Sequence, residues 1–111
     1  MVRAELAGEA APDLVVEHMN VRLADGSYEV SYGGEVSDRG TYVENATSPH
    51  RTLVLHGIAG ANAGRTIPCI FQLMGDRLRV CYGLDGVLPS SFATVTGDQR
   101  YLAVYRRVTT P

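Results

Sequence analysis

Residues 66–84 constrain the fold of this chain more than any other segment. Two runs in which apolar and polar residues alternate flank the dipeptide Gly75-Asp76, a pattern typical of a β-hairpin. With that dipeptide at the centre of the turn, Phe71 lies opposite Val80 and the apolar side chains share one face. A slip of one residue would mix apolar and charged side chains on both faces, so the sequence specifies this register.

The same register predicts that the two cysteines are free thiols. It sets Cys69 opposite Tyr82 on the apolar face, whereas Cys81 points to the other face of the hairpin. A disulfide needs Cα atoms about 5.5 Å apart and converging Cβ atoms, which this arrangement denies. Two reduced, buried thiols are typical of a reducing compartment.

The rest of the chain repeats the two-residue period of a half-buried strand. The clearest case is the run in which Tyr28, Val30 and Tyr32 alternate with polar residues. Further runs of this kind are separated by turn signals, and a short strand is expected near Phe92. The small residues 57–64 are expected to form a flexible loop over one mouth of the fold.

These segments predict an all-β fold, a single antiparallel barrel of seven or eight short strands. The barrel domain is expected to span residues 14–111. Residues 1–13, rich in alanine and glutamate, are expected to form an N-terminal arm or a short helical turn.

Composition narrows the classes of function. At 111 residues the chain fits one domain. Its net charge of −2 gives no basic face for nucleic acid, and no apolar run reaches the ~20 residues of a membrane span. Glu5 and Glu9 interrupt the stretch where a signal peptide needs an apolar segment, so we predict a cytoplasmic protein.

No motif for catalysis, a cofactor or a metal stands out. His18, His50 and His56 lack the spacing of metal ligands with one another or with a cysteine. An enzyme would need a cleft that gathers Glu35, Asp38 and one of these histidines. The sequence therefore predicts a protein that is not an enzyme and has no cofactor.

Tyrosines are the best candidates for a binding site. The chain has six, against two phenylalanines and no tryptophan. Several fall on inward faces, where phenol rings could line an apolar pocket with a few polar contacts or simply fill the core. The ligand-binding residues we predict are Tyr28, Tyr32, Phe71, Val80, Tyr82 and Tyr105.

Several runs also carry a family resemblance. They are, in order, Gly64-Arg65-Thr66-Ile67, the hairpin from Ile70 to Tyr82, Pro89-Ser90-Ser91-Phe92 and Tyr105-Arg106-Arg107. In these runs the chain resembles an uncharacterised family of lipocalin-like domains found in many bacterial genomes, over residues ~40–107. The resemblance implies a small antiparallel β-barrel and no established activity.

The chain departs from that family at two places. The family's opening strand carries Gly-x-Trp where this chain has Gly8-Glu9-Ala10, so the resemblance does not extend to a sealed barrel. Leu88 also stands where the family has an arginine before Pro-x-x-Phe.

Two hypotheses of function follow. The first is non-catalytic binding of a small apolar or aromatic molecule inside the barrel, since an eight-stranded barrel has room for one small ligand. The alternative is a structural module without a ligand, which forms a homodimer through open barrel edges.

Overall fold

A computed structural model describes residues 1–45 and 50–107 of the protein. Its elements are β1 (Arg3–Leu6), β2 (Glu9–Ala10), α1 (Asp13–His18), β3 (Met19–Ala24), β4 (Ser27–Tyr32), β5 (Glu35–Asn45), β6 (Arg51–Gly60), β7 (Thr66–Met74), β8 (Arg77–Gly83) and β9 (Arg100–Arg106). All nine strands join one antiparallel sheet in the order β2-β1-β9-β8-β7-β6-β5-β4-β3. The all-β class is confirmed, with nine strands where seven or eight were predicted.

Two strands that were not predicted, β1 and β2, come from the N-terminal segment. Instead of an arm, β1 pairs with β9, and Ala4 faces Ala103 in that pairing. The two-residue β2 then folds back on β1. The segment lacks the long alternating run from which strands are recognised, so its strand character comes from the β9 edge that it covers.

The central hairpin has the predicted register. Phe71 pairs with Val80, and Cys69 pairs with Tyr82. Both cysteines are free and buried. Cys69 belongs to the core inside the curled sheet, whereas Cys81 belongs to a separate cluster on its outer face. The prediction that the two thiols point apart is therefore confirmed.

The sheet curls into a half-barrel. Its edges are β2 and β3, and no pairing in the described part of the chain joins these two edges. Near the seam, the backbone nitrogen of Met1 donates a hydrogen bond to the Met19 carbonyl at 3.0 Å. The interior is thus bounded on one side by a seam and not by a continuous ladder.

The curvature is concentrated around Gly40 in β5. On one side Ser37 is an extra residue in the β4–β5 ladder, and on the other Ile58 is an extra residue in the β5–β6 ladder. Such bulges bend a strand and increase its twist. Between them Gly40 faces Tyr28, and a Cβ at position 40 would lie 2.8 Å from Tyr28 Cε1 and 2.0 Å from the His56 carbonyl oxygen. A glycine covered by an aromatic ring is a recognised device for bending sheets.

The expected strand near Phe92 is wrong, because residues 84–99 form no strand. Backbone amides in this loop bond to aspartate side chains instead of a neighbouring strand: Val87 donates to Asp85 and Val95 donates to Asp98. Phe92 packs on the outer cluster formed by Ile70, Cys81 and Leu102. The loop therefore covers the outer face of β7, β8 and β9.

The Gly40 contact gives the first prediction. Gly40→Ala should lower the unfolding free energy by about 3 kcal/mol, because the added methyl group must displace a backbone carbonyl and the Tyr28 ring. Gly75→Ala is the matched control: it has a positive φ of 61° but open space around it, so about 1 kcal/mol of backbone strain is expected. Urea unfolding of both variants checks this, and an equal or smaller loss at Gly40 would contradict it.

Candidate functional site

The concave side of the half-barrel holds a partly open cavity of about 240 Å³. Every strand from β3 to β9 contributes residues to its wall, and so do Met1 and the turn after β6. Most of the lining is apolar, including Val21, Leu23, Val30, Leu53, Leu55 and Ile67. A concave apolar site with few polar groups is the usual form of a small-molecule pocket.

The structure brings together four of the six predicted binding residues. Phe71 is buried in the same core but does not line the cavity. Tyr32 is 42% exposed at the end of β4, where its ring centroid lies 5.6 Å from that of His18. Tyr32 lies on the same face of β4 as Tyr28, as predicted, but the end of the strand extends beyond the cavity. The four that line the cavity are Tyr28, Val80, Tyr82 and Tyr105.

Tyr28 is the unusual member of the lining. It is 3% exposed, and its hydroxyl is the one buried side-chain polar atom without a hydrogen-bond partner in residues 1–45 and 50–107. Burial raises the pKa of this phenol, and the negative charge of the Asp38 carboxylate acts in the same direction. The group is therefore a neutral O–H that the protein itself leaves unpaired.

Tyr82 and Tyr105 form a hydroxyl pair on another part of the wall. Their oxygens are 2.7 Å apart, and either one can be the donor. Burial is the main cause that raises the pKa of both phenols, so the pair holds two protons. Only one of those protons lies in the shared bond, which leaves the other for a further acceptor. Tyr101 stacks on Tyr82, with ring centroids 5.2 Å apart, and fixes the position of the pair.

A polar cluster closes the cavity beside the β5 bulge. The buried Asp38 carboxylate accepts a 2.8 Å hydrogen bond from the Asn62 side chain and a 3.4 Å bond from its backbone amide. Arg65 donates to the Asn62 Oδ1 at 2.9 Å and also to the Leu84 carbonyl oxygen. These bonds hold the turn after β6 against the cavity.

This cluster corrects the expectation of a flexible loop at residues 57–64. β6 continues to Gly60, and only residues 61–64 form a turn. The turn is closed by backbone bonds from Gly57 to Arg65 and from Gly64 to Gly57. Its small residues conceal this order in the sequence, and neither Asn62 nor Arg65 was recognised as part of a site.

The structure does not assemble the acid–base set considered from the sequence. Asp38 lines the cavity, but Glu35 is exposed at the start of β5, and no histidine is in the lining. Within the described ranges, no group of three or more histidine, cysteine, aspartate or glutamate residues could hold a metal ion. In that same part of the chain, α1 is far too short to cross a membrane.

The buried cysteine thiols and tyrosine phenols predict that the protein loses stability at alkaline pH. Burial raises the pKa of these thiols and phenols above their ordinary values of 9.0 and 10.0, so above pH 9 the unfolded chain loses protons that the folded chain keeps. The contribution of each group to stability is thus constant below its ordinary pKa, and above that pKa each group removes about 1.4 kcal/mol per pH unit until its folded-state pKa is reached. The groups concerned are Cys69, Cys81, Tyr28, Tyr82, Tyr101 and Tyr105.

Urea unfolding between pH 8 and 11.5 measures this loss. Tyr82→Phe removes one titrating group and should make the decline above pH 10 shallower. A free energy of unfolding that stays level to pH 11.5 would show that these groups are not buried as described.

Comparisons with protein-family models, with curated proteins and with solved structures find no match to this chain. The geometry of the cavity is therefore the basis on which its function is argued.

Proposed function

We propose that the protein is a lipocalin-like, non-catalytic binding protein that holds a small apolar or aromatic molecule in the half-barrel cavity. The observation that carries the proposal is a space of about 240 Å³ among apolar side chains that residues 1–45 and 50–107 do not fill. Protein interiors are normally packed with few voids larger than a water molecule, so a space of this size needs a reason.

The size of the cavity sets the size of the ligand. A dry apolar cavity of about 150 Å³ is sufficient to bind benzene. The larger cavity here has room for two fused rings or a compact aliphatic molecule of similar volume. Burial of that molecule among leucine, isoleucine and valine side chains supplies the driving force.

The half-barrel also provides a route to the cavity. Leu23, a lining residue on the edge strand β3, is 37% exposed, so the cavity reaches the surface along that strand. A ligand can enter there without the separation of paired strands. Two free thiols support the further proposal that the protein works in the reducing cytoplasm.

A cavity-filling variant tests the proposal. Val21 lines the cavity, so Val21→Trp should fill much of the space and abolish binding of indane, a two-ring hydrocarbon, while stability is kept. Val43 lies on β5 of the same sheet, is 53% exposed and is absent from the lining, so Val43→Trp is the matched control that should bind normally. Ligand-observed NMR measures the binding.

The same variants report their own placement, because the chain has no other tryptophan. The fluorescence of Val21→Trp should be blue-shifted relative to Val43→Trp, as expected for an indole inside an apolar cavity. Absence of indane binding to the unmodified protein, or equal binding to both variants, would contradict the proposed function.

A second candidate is self-association through β3. This strand pairs only with β4 within the described part of the chain, so one edge of its backbone is available to another strand. The alternative predicts a mass of two chains by light scattering, unchanged by Val21→Trp. A mass of one chain at high concentration would exclude it.

A further inference from the structure

We propose, on the basis of the proposed function, that the cavity selects small neutral molecules that carry a hydrogen-bond acceptor such as a ketone or aldehyde carbonyl, and that the Tyr28 hydroxyl recognises this acceptor.

The fold requires the ring of Tyr28 but not its hydroxyl group. The ring packs on Gly40 at the bend of the sheet, and phenylalanine would make the same contact. The hydroxyl makes no hydrogen bond to the protein, and a buried polar group left unpaired costs about 1–3 kcal/mol. A tyrosine at this position thus lowers stability unless a bound molecule supplies the missing partner.

The surroundings of Tyr28 determine which charge the acceptor on the ligand can carry. The Asp38 carboxylate, which lines the same cavity, accepts hydrogen bonds from Asn62 and none from Tyr28. Its negative charge and the apolar walls both oppose a bound anion, because a buried charge without a counter-ion is costly. The acceptor on the ligand should therefore be neutral, which favours a carbonyl over a carboxylate.

The cavity wall also contains a second hydrogen-bond donor that the protein does not use. The Tyr82–Tyr105 pair has two hydroxyl protons and one shared bond, so one proton has no acceptor within that pair. These residues stand on β8 and β9, on a different part of the wall from β4. The cavity wall therefore offers two hydroxyl protons to an acceptor on a ligand, one from Tyr28 and one from the Tyr82–Tyr105 pair.

The test is a thermodynamic cycle with two matched probes. Indane and 1-indanone share one carbon skeleton and differ by a single carbonyl group. Each is titrated by calorimetry into the unmodified protein, into Tyr28→Phe, and into Tyr42→Phe as the control. Tyr42 packs against the same core but does not line the cavity.

We expect Tyr28→Phe to weaken 1-indanone binding about three- to tenfold, the value of one neutral hydrogen bond. Indane binding should be unchanged or slightly tighter, and Tyr42→Phe should leave both affinities as they were. The cycle removes the difference in hydrophobicity between the probes, because each probe is compared with itself.

The outcomes separate the two proposals. If indane binds and Tyr28→Phe changes both probes alike, or changes neither, the carbonyl preference is overturned and the binding function stands. If indane does not bind the unmodified protein, the proposed function itself is overturned.

An infrared measurement covers the case in which Tyr28→Phe does not fold. The carbonyl stretch of 1-indanone bound to the unmodified protein should lie below its value in a hydrocarbon solvent, as a hydrogen bond from a phenol requires. A stretch at the hydrocarbon value would overturn the inference.

Discussion

The contact between the Tyr28 ring and Gly40 is the constraint on which the half-barrel depends. A side chain at position 40 would collide with the ring and with the His56 carbonyl, so only glycine allows β4, β5 and β6 to approach this closely. The two bulges, at Ser37 and Ile58, flank this glycine and bend the longest strands of the sheet. With a flat sheet at this point, the cavity would be an open surface.

The walls of the cavity are mainly large aliphatic side chains, among them Leu53, Leu55 and Ile67. Small residues of the same core, Ala4, Ala103 and Cys69, are buried away from the cavity lining. The cavity is thus a consequence of the curvature of the sheet, which carries these walls around a common space.

The two faces of the curled sheet differ in the groups that lie on them. The inner face carries the phenols and the Asp38 carboxylate, whereas the outer face of β7 to β9 is covered by the loop of residues 84–99. Arg79 lies over the Phe92 ring, 4.0 Å from its centroid, and helps to hold that loop. The outer cluster stabilises the sheet, which leaves the inner face available for binding.

How much of this could be predicted from the sequence depends on the range of the interaction concerned. The hairpin register and the opposed cysteines follow from the two-residue period and a local turn signal. The bulges at Ser37 and Ile58 add one residue to a ladder, and no short-range pattern marks them. Tyr32 keeps the alternation of β4 but lies at the exposed end of that strand, and the alternation does not mark where the cavity ends.

Asn62 and Arg65 were missed for a related cause. Their role arises from contacts with Asp38 and Leu84, which are distant along the chain and meet only after the sheet has curled. The strands β1 and β2 likewise depend on β9, so a short segment with weak intrinsic preference becomes part of the sheet. Tertiary contacts decided each of these features.

Xenon binding tests the central claim, an apolar cavity inside a curled sheet, most directly. A crystal of the protein under xenon pressure should show a xenon atom among Tyr28, Leu55 and Val80, since xenon binds in cavities with apolar walls. Side chains of the protein packed through that space, with no xenon between β4 and β8, would contradict the account.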